Sequence, residues 1–155
     1  MKSIQTTIRT AREGDLAALI AMFAADDVGG HGDTVVADAF ADYARAFAAI
    51  EASPDQDIYV CDRDGEVVGT FQTMTTTSLT GRGSSSMIIE AVQTRSDMRG
   101  QGIGALMIAF AIAEAKERGV RLVQLTSNAR RKDAHRFYER LGFQPSHLGF
   151  KMALK

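Results

Sequence analysis

A glycine-rich turn constrains this chain most, because it is predicted to open the strongest amphipathic helix in the sequence: Arg99-Gly100-Gln101-Gly102-Ile103-Gly104. Glycine has no side chain, so the backbone N–H groups of such a turn can approach an anion closely. The N-terminus of the following helix adds a partial positive charge of about half an elementary charge. Arg99 supplies a planar cation suited to a pair of phosphate oxygens. The segment is therefore predicted to bind a diphosphate.

Two other interpretations of these glycines must be weighed. Residues 100–105 also fit the G-x-G-x-x-[GA] pattern of a dinucleotide-binding turn. That turn requires an acidic residue about 20 positions later. This chain has Gln124, Leu125 and Thr126 there, and too few residues follow for the second half of such a fold. A plain strand-to-helix turn needs only one glycine, and the glycines alone do not exclude it.

The composition is that of an ordinary globular protein. The chain has 155 residues, 45% hydrophobic and 24% charged, and a single domain over 1–155 is predicted. A formal net charge of -1 gives no field to hold a polyanion, so no nucleic-acid partner is expected. Cys61 has no second cysteine to pair with, and no apolar stretch is long enough for a membrane span. We expect a cytoplasmic protein with no membrane partner.

Hydrophobic periodicity predicts an α+β domain of order βααβββαβαβ. The predicted strands alternate apolar residues or carry short apolar runs, and lie at 4–10, 58–61, 67–71, 87–92, 122–126 and 150–154. The predicted helices carry apolar residues three and four positions apart, at 16–23, 36–52, 103–118 and 133–141. Asp64-Gly65 suits a tight turn between two of the strands. The polar tract 75–86 is expected to hold a strand end and a long flexible connection.

Two motifs resemble the GCN5-related N-acetyltransferase (GNAT) superfamily. Arg99, Gly102 and Gly104 match its acetyl-CoA signature, Q/R-x-x-G-x-G/A. Downstream of Ser127-Asn128, the run 134–143 matches the pattern A-x-x-F-Y-x-x-x-G-F. The C-terminal third of the chain also resembles bacterial aminoalkylphosphonate N-acetyltransferases. Before residue 87 the resemblance is diffuse, and members of the superfamily bind their acceptors in that region.

The resemblance implies a mixed, mostly antiparallel central sheet flanked by helices. Acetyl-CoA is expected to enter between the strands at 87–94 and 122–126, with main-chain amides of the first strand holding its pantetheine arm and polarising its thioester carbonyl. The residues expected to contact acetyl-CoA are Ala91, Val92, Gln93, Arg99, Gly100, Gln101, Gly102, Ile103, Gly104, Asn128, Ala134 and Phe137. For Asn128, a turn or helix-cap role is the alternative.

Acetyl transfer to an amine needs a base, because an alkyl amine of pKa about 10.4 is neutral in only about one molecule in a thousand at pH 7. Glu90 interrupts an apolar strand beside the implied cleft and is the predicted base. We expect it to be partly buried; an ion pair with an arginine or plain exposure is the alternative. Tyr138 matches the family tyrosine and is the predicted acid for the departing thiolate, with core packing as the alternative.

The predicted activity is direct transfer of acetyl from acetyl-CoA to a primary amine of a small molecule or peptide. One alternative is a non-catalytic acyl-CoA-binding sensor or regulatory module. A second is an interaction protein that binds no cofactor. Many relatives dimerise, so a homodimer is considered.

Several polar residues receive no catalytic role. The loop 26–34 holds Asp26, Asp27, His31 and Asp33 at a spacing that fits no metal motif, so no metal is expected. The resemblance implies that this loop, with residues 71–77, walls the acceptor site, and His147 is expected either near the acceptor or at a turn. The basic cluster at 130–136 is expected to be a solvated surface.

Overall fold

The fold comes from a computed structural model, which describes residues 2–26 and 31–155. Within these residues the strands form one sheet of order β1-β2-β3-β4-β5, in which each pair from β1 to β4 is antiparallel. The strands are β1 Thr6–Thr10, β2 Gln56–Arg63, β3 Glu66–Thr77, β4 Ser85–Thr94 and β5 Leu122–Leu125. The helices are α1 Leu16–Ala24, α2 Phe40–Ala52, α3 Thr80–Gly83, α4 Ile103–Glu117 and α5 Lys132–Arg140.

The contacts between residues divide the chain into two compact units, which are unit 1, Met1–Gln124, and unit 2, Leu125–Lys155. Unit 1 contains the glycine turn and most of the sheet. Unit 2 contains α5 and the C-terminal segment. Among the described residues, no helix has the length and apolar character that a membrane crossing requires.

The predicted hairpin is confirmed between β2 and β3. Asp64 and Gly65 both have positive φ, 51° and 89°, as a tight two-residue hairpin turn requires. The Gly65 N–H donates to Asp62 Oδ1 at 2.8 Å, which holds the turn closed.

Unit 1 is packed on both faces of its sheet. Leu19 and Ile20 of α1 and Phe47 of α2 form a buried cluster with Val60 of β2. The neighbouring residue Tyr59 points to the opposite face, where its ring lies 5.1 Å from that of Phe110 of α4. The sheet is therefore covered by α1 and α2 on one side and by α4 on the other.

Gly69 of β3 marks a close approach between α4 and the sheet. A Cβ atom at this position would lie 2.9 Å from Met107 Sδ and 3.1 Å from Ile103 Cγ2. Real Cβ atoms do not tolerate the shorter distance, so the absence of a side chain lets the first turns of α4 lie directly on β3.

Two sequence predictions are wrong. The tract 75–86 does hold the predicted strand end, but it has no long flexible connection, because β3 extends to Thr77, β4 begins at Ser85 and the short segment between them contains α3. The final strand over Phe150, Met152 and Leu154 is not formed. Its alternation predicts an extended segment, but a strand also needs a paired neighbour, and the described residues supply none. Leu148 and these three side chains are 84–90% exposed.

Candidate active site

The glycine turn has the backbone geometry that an anion-binding helix start requires. Gly100 and Gly102 adopt positive φ angles of 77° and 79°, which residues with side chains rarely adopt. Gly102 is the N-cap of α4, and no side chain caps the helix there. The N–H groups of the first turn of a helix have no partner within it, so they are available to a ligand.

The space around the turn also fits a diphosphate. A Cβ atom built at Gly100 or Gly102 would meet no atom within 4 Å. Arg99 is exposed and makes no hydrogen bond or ion pair with the described residues. Gln101 is engaged, because its Oε1 accepts from Arg63 Nη1 at 2.7 Å. Ile103 is 2% exposed, so only its main chain is available at this turn.

A β-bulge interrupts β4 a few residues earlier. Thr70 pairs with Gln93 and Gln72 with Glu90, so Ala91 and Val92 together lie opposite Phe71 alone. Ala91 has a φ of 52°, an unfavourable value for a residue with a side chain. Such a bulge removes main-chain groups from the strand ladder. Backbone strain of this kind concentrates at functional sites.

The side chains that flank the bulge differ from expectation at one position. Glu90 is exposed, so its predicted partial burial is wrong. It lies directly opposite Gln72 of β3, which is itself only partly buried. Glu90 forms no ion pair with any arginine of the described residues, which leaves its carboxylate accessible. Gln93, a predicted cofactor contact, donates from Nε2 to Asp26 Oδ2 at 2.8 Å.

Unit 1 also contains a cavity of about 160 Å³, which the sequence did not predict as a cavity, although Phe71 and Gln72 of the segment expected to wall the acceptor site line it. It lies between α1, α2 and the middle strands, and Ala91 is part of its wall. The only signal in the sequence was the surplus of apolar residues on the two helices, which equally predicts an ordinary filled core.

In unit 2, Tyr138 packs among aromatic rings. Its ring centroid lies 5.1 Å from that of Phe137 and 5.8 Å from that of Phe143, which fits the packing alternative, while its role as the acid stays a prediction. Burial raises the pKa of Tyr138 above its usual value, although the nearby Arg131 acts in the opposite direction. The phenol therefore keeps its proton at neutral pH.

The remaining predicted contacts in unit 2 lie on or before α5. Asn128 forms a turn, because its Oδ1 accepts from the Arg130 N–H at 2.9 Å and its carbonyl from the Arg131 N–H at 2.9 Å. Ala134 and Phe137 lie on α5 and are partly buried. His147 Nδ1 is 2.7 Å from Ser146 Oγ, a contact typical of a local turn. In the basic cluster, Arg136 pairs with Asp133 of the same helix.

The loop expected to wall the acceptor site is described only in part, since Asp27 and residues 28–30 lie outside the described residues. Tyr43 Oη donates to Asp33 Oδ1 at 2.7 Å and accepts from the Thr34 N–H at 3.2 Å. These bonds tie the end of the loop to α2. No cluster of metal-binding side chains was found among residues 2–26 and 31–155.

Comparison with known proteins identifies the family. Residues 12–143 match the Acetyltransferase (GNAT) family. An aminoalkylphosphonate N-acetyltransferase of Salmonella typhimurium is 39% identical over 108 residues, which cover 70% of this chain and 70% of that protein. The crystal structure of a transcriptional regulator from Bacillus halodurans C-125 matches with a TM-score of 0.93 at 43% identity. The match covers 97% of this chain and 100% of that chain.

A more distant structure confirms the α+β fold. Glucosamine-6-phosphate N-acetyltransferase from Arabidopsis thaliana has a TM-score of 0.78 at 18% identity, covering 97% of this chain and 99% of that one. The resemblance predicted from two short motifs is thus confirmed over most of the sequence. The chain belongs to the acetyltransferase (GNAT) family, whose members are acetyl-CoA-dependent N-acetyltransferases.

Proposed function

We propose that the chain transfers the acetyl group of acetyl-CoA to a primary amine of a small molecule or peptide, by direct attack of the amine nitrogen on the thioester carbonyl. The bulge at Ala91 and Val92 is the observation that most supports this activity, since it places main-chain groups outside the strand ladder on the strand that carries Glu90. The uncapped start of α4 follows on the same stretch of chain.

The main chain performs the binding and the electrostatic part of the reaction. Bound acetyl-CoA supplies an activated thioester. The amides of the glycine turn bind the diphosphate, and Arg99 neutralises part of its charge. The amides at Ala91 and Val92 donate to the carbonyl oxygen as negative charge develops on it, and one such donor contributes roughly 3 kcal/mol to the transition state.

Two side chains move the protons. The Glu90 carboxylate accepts a proton from the ammonium group, which frees the nitrogen lone pair. The new C–N bond forms as the C–S bond breaks, and Tyr138 Oη gives its proton to the departing thiolate. The attacking nitrogen then loses its second proton, which restores the Tyr138 phenol through solvent, and Glu90 releases the first proton to solvent. Because burial raises the pKa of Tyr138, the phenol carries that proton at neutral pH.

Release of the CoA thiol from acetyl-CoA, measured with a panel of primary amines, tests this function. Glu90→Gln should lower the amine-dependent rate about a hundredfold, whereas Glu117→Gln, an exposed acid at the end of α4, should leave it unchanged. Tyr138→Phe should lower turnover and leave the affinity for CoA intact. Binding of CoA without thiol release from any amine would instead favour the acyl-CoA sensor.

The proposal extends to the assembly and the location of the chain. We infer a homodimer, supported by the four alternating apolar side chains from Leu148 to Leu154, which are 84–90% exposed in a single chain. Light scattering tests it: Phe150→Ser should shift a dimer toward monomer.

A single domain over 1–155 predicts one cooperative unfolding transition. A cytoplasmic location is compatible with the free, buried Cys61 and is tested by cell fractionation.

A further inference from the structure

The cavity of unit 1 is apolar and of a size that suits a ligand group. Its volume is about 160 Å³, and its walls include Phe23 of α1, Phe47 of α2 and Ile58 of β2. An apolar protein cavity of about 150 Å³ stays dry and binds benzene. The space in this chain therefore suits one aromatic ring or one branched alkyl group.

The polar side chains that line the cavity already have partners within the protein. Tyr43 Oη donates to Asp33 Oδ1 at 2.7 Å, and Thr70 Oγ1 donates to the Tyr59 carbonyl at 2.8 Å. Gln72 Nε2 donates to Gln56 Oε1 at 3.2 Å. A polar ligand group that entered the cavity would lose its hydrogen bonds to water and find few replacements, which is costly.

The charges of the residues around the cavity also disfavour an anionic ligand group. Of the described residues that line it, none is lysine, arginine or histidine. Glu90 pairs directly with Gln72 across β3 and β4, and residues directly opposite each other share a face of the sheet. Because Gln72 lines the cavity, the Glu90 carboxylate lies on the cavity side of the sheet. A phosphonate placed there would meet a carboxylate and, among the described lining residues, no cation.

The cavity and the bulge are continuous at Ala91, which belongs to both. We propose that the cavity binds an apolar group of the acceptor, so that the preferred acceptors are primary amines that carry an aromatic ring or a branched alkyl group. This inference rests on the proposed function for the transfer step. It places the amine at the rim of the cavity, beside Glu90 and the bulge amides, while the apolar group fills the interior.

Three amines of matched chain length test the proposal: 2-phenylethylamine, ethylamine and 2-aminoethylphosphonate, each with acetyl-CoA. The kcat/KM for 2-phenylethylamine is expected to exceed that for ethylamine at least about thirtyfold, from burial of the ring, and to exceed that for the phosphonate by more. A phosphonate acetylated as well as or better than 2-phenylethylamine would overturn the inference, and the transferase activity would stand.

A filling variant and its control locate the effect in the cavity. Ala46→Leu adds bulk to the α2 wall and is expected to lower the preference for 2-phenylethylamine over ethylamine about tenfold. Ala48→Leu, exposed and not part of the wall, is expected to keep that preference. Equal preferences in the two variants would overturn the assignment.

Calorimetric titration with 2-phenylethylamine separates this inference from the proposed function. Saturable binding that Ala46→Leu weakens, together with no thiol release from any amine, would contradict the transfer reaction and support the cavity as the binding site. Absence of saturable binding would overturn the inference whatever the turnover of other amines.

Discussion

The two halves of the proposed active site in unit 1 are built in different ways. The half assigned to acetyl-CoA consists mainly of main chain, at the glycine turn and at the bulge of β4, with Arg99 as its charged side chain. The half assigned to the acceptor consists of side chains from two helices and three strands. Main-chain geometry tolerates few residue types, whereas a cavity wall accepts many apolar residues. The first half suits a ligand shared by a family, and the second can change between relatives.

Gly102→Val tests the main-chain half with the largest expected effect. At a φ of 79° a β-branched residue is strained, and its side chain would fill the open space outside the turn. The Kd for CoA is expected to rise about a hundredfold, close to 2.8 kcal/mol. Calorimetry measures it, with Gly14→Ala as the control, since a Cβ atom there meets nothing within 4 Å. An unchanged Kd in a folded Gly102→Val protein would contradict the diphosphate site.

Asp15→Asn tests how far the acceptor half depends on the position of α1. Arg9 donates to both carboxylate oxygens of Asp15, at 2.8 and 3.0 Å, just before that helix. Replacement is expected to lower the free energy of unfolding by about 2 kcal/mol at pH 7 and to raise the KM for the amine more than that for acetyl-CoA. Asp38→Asn, at an exposed residue, should change stability by less than about 0.5 kcal/mol.

The effect at Asp15 has a definite pH dependence. The hydrogen bonds from Arg9 hold the pKa of Asp15 below its usual value. A carboxylate whose pKa is lower in the folded state than in the unfolded state contributes its full stabilisation at pH values above the unfolded pKa, which is about 3.9 for aspartate. The difference in stability between wild type and Asp15→Asn should therefore shrink below about pH 4 and vanish as the folded carboxylate protonates. Denaturation at a series of pH values measures it, and a constant difference down to pH 2 would argue against the ion pair.

Ala91→Val sharpens the comparison within β4. A residue with a side chain at positive φ costs about 1–2 kcal/mol, and a β-branched one fits least well. Unfolding in urea should show a loss of that size, accompanied by a lower kcat. Ala91→Gly is the matched variant, and it should be as stable as wild type or more so, because glycine adopts this φ freely. Equal stability of the valine and glycine variants would count against a strained bulge.

Thr73→Val carries the smallest expected effect. The Thr73 hydroxyl is fully buried and has no hydrogen-bond partner within the part of the chain that the structure describes. Its loss should leave stability unchanged or raise it by less than about 1 kcal/mol. Thr70→Val is the contrast, since it removes the bond to the Tyr59 carbonyl and should cost about 1 kcal/mol. Thermal unfolding of the pair measures the difference.

The same contrast explains what the sequence predicts and what it does not. Gly100 and Gly102 indicate a special backbone by their identity, and Asp64-Gly65 likewise predicts its hairpin. The bulge is different: Ala91 is an ordinary strand residue by composition, and its positive φ appears only once β3 and β4 are paired. The cavity escapes prediction because its walls come from residues spread between Leu16 and Ala91, whose apolar character fits a filled core equally well.

The C-terminal segment and Glu90 show the limits of a local pattern. Alternation over Phe150, Met152 and Leu154 predicts an extended segment, but strand formation depends on a neighbour that no local pattern specifies. Glu90 stands in an apolar run and is nevertheless exposed, because burial depends on tertiary packing that the neighbouring residues in the sequence do not specify. The assigned roles of Glu90 and Tyr138 stay predictions until the substitutions are made.

The close approach at Gly69 links the two halves of the site. Ile103 and Met107 lie against this glycine at the start of α4, so the depth at which the helix rests on β3 also sets the height of the amides at Gly102 above the strand. A bulkier residue at position 69 is expected to push against Ile103 and Met107 and to shift the start of α4, and with it the proposed coenzyme site, without lying in that site itself. Coenzyme affinity and transfer rate should then decline together, because Gly69 sets the distance between α4 and β3.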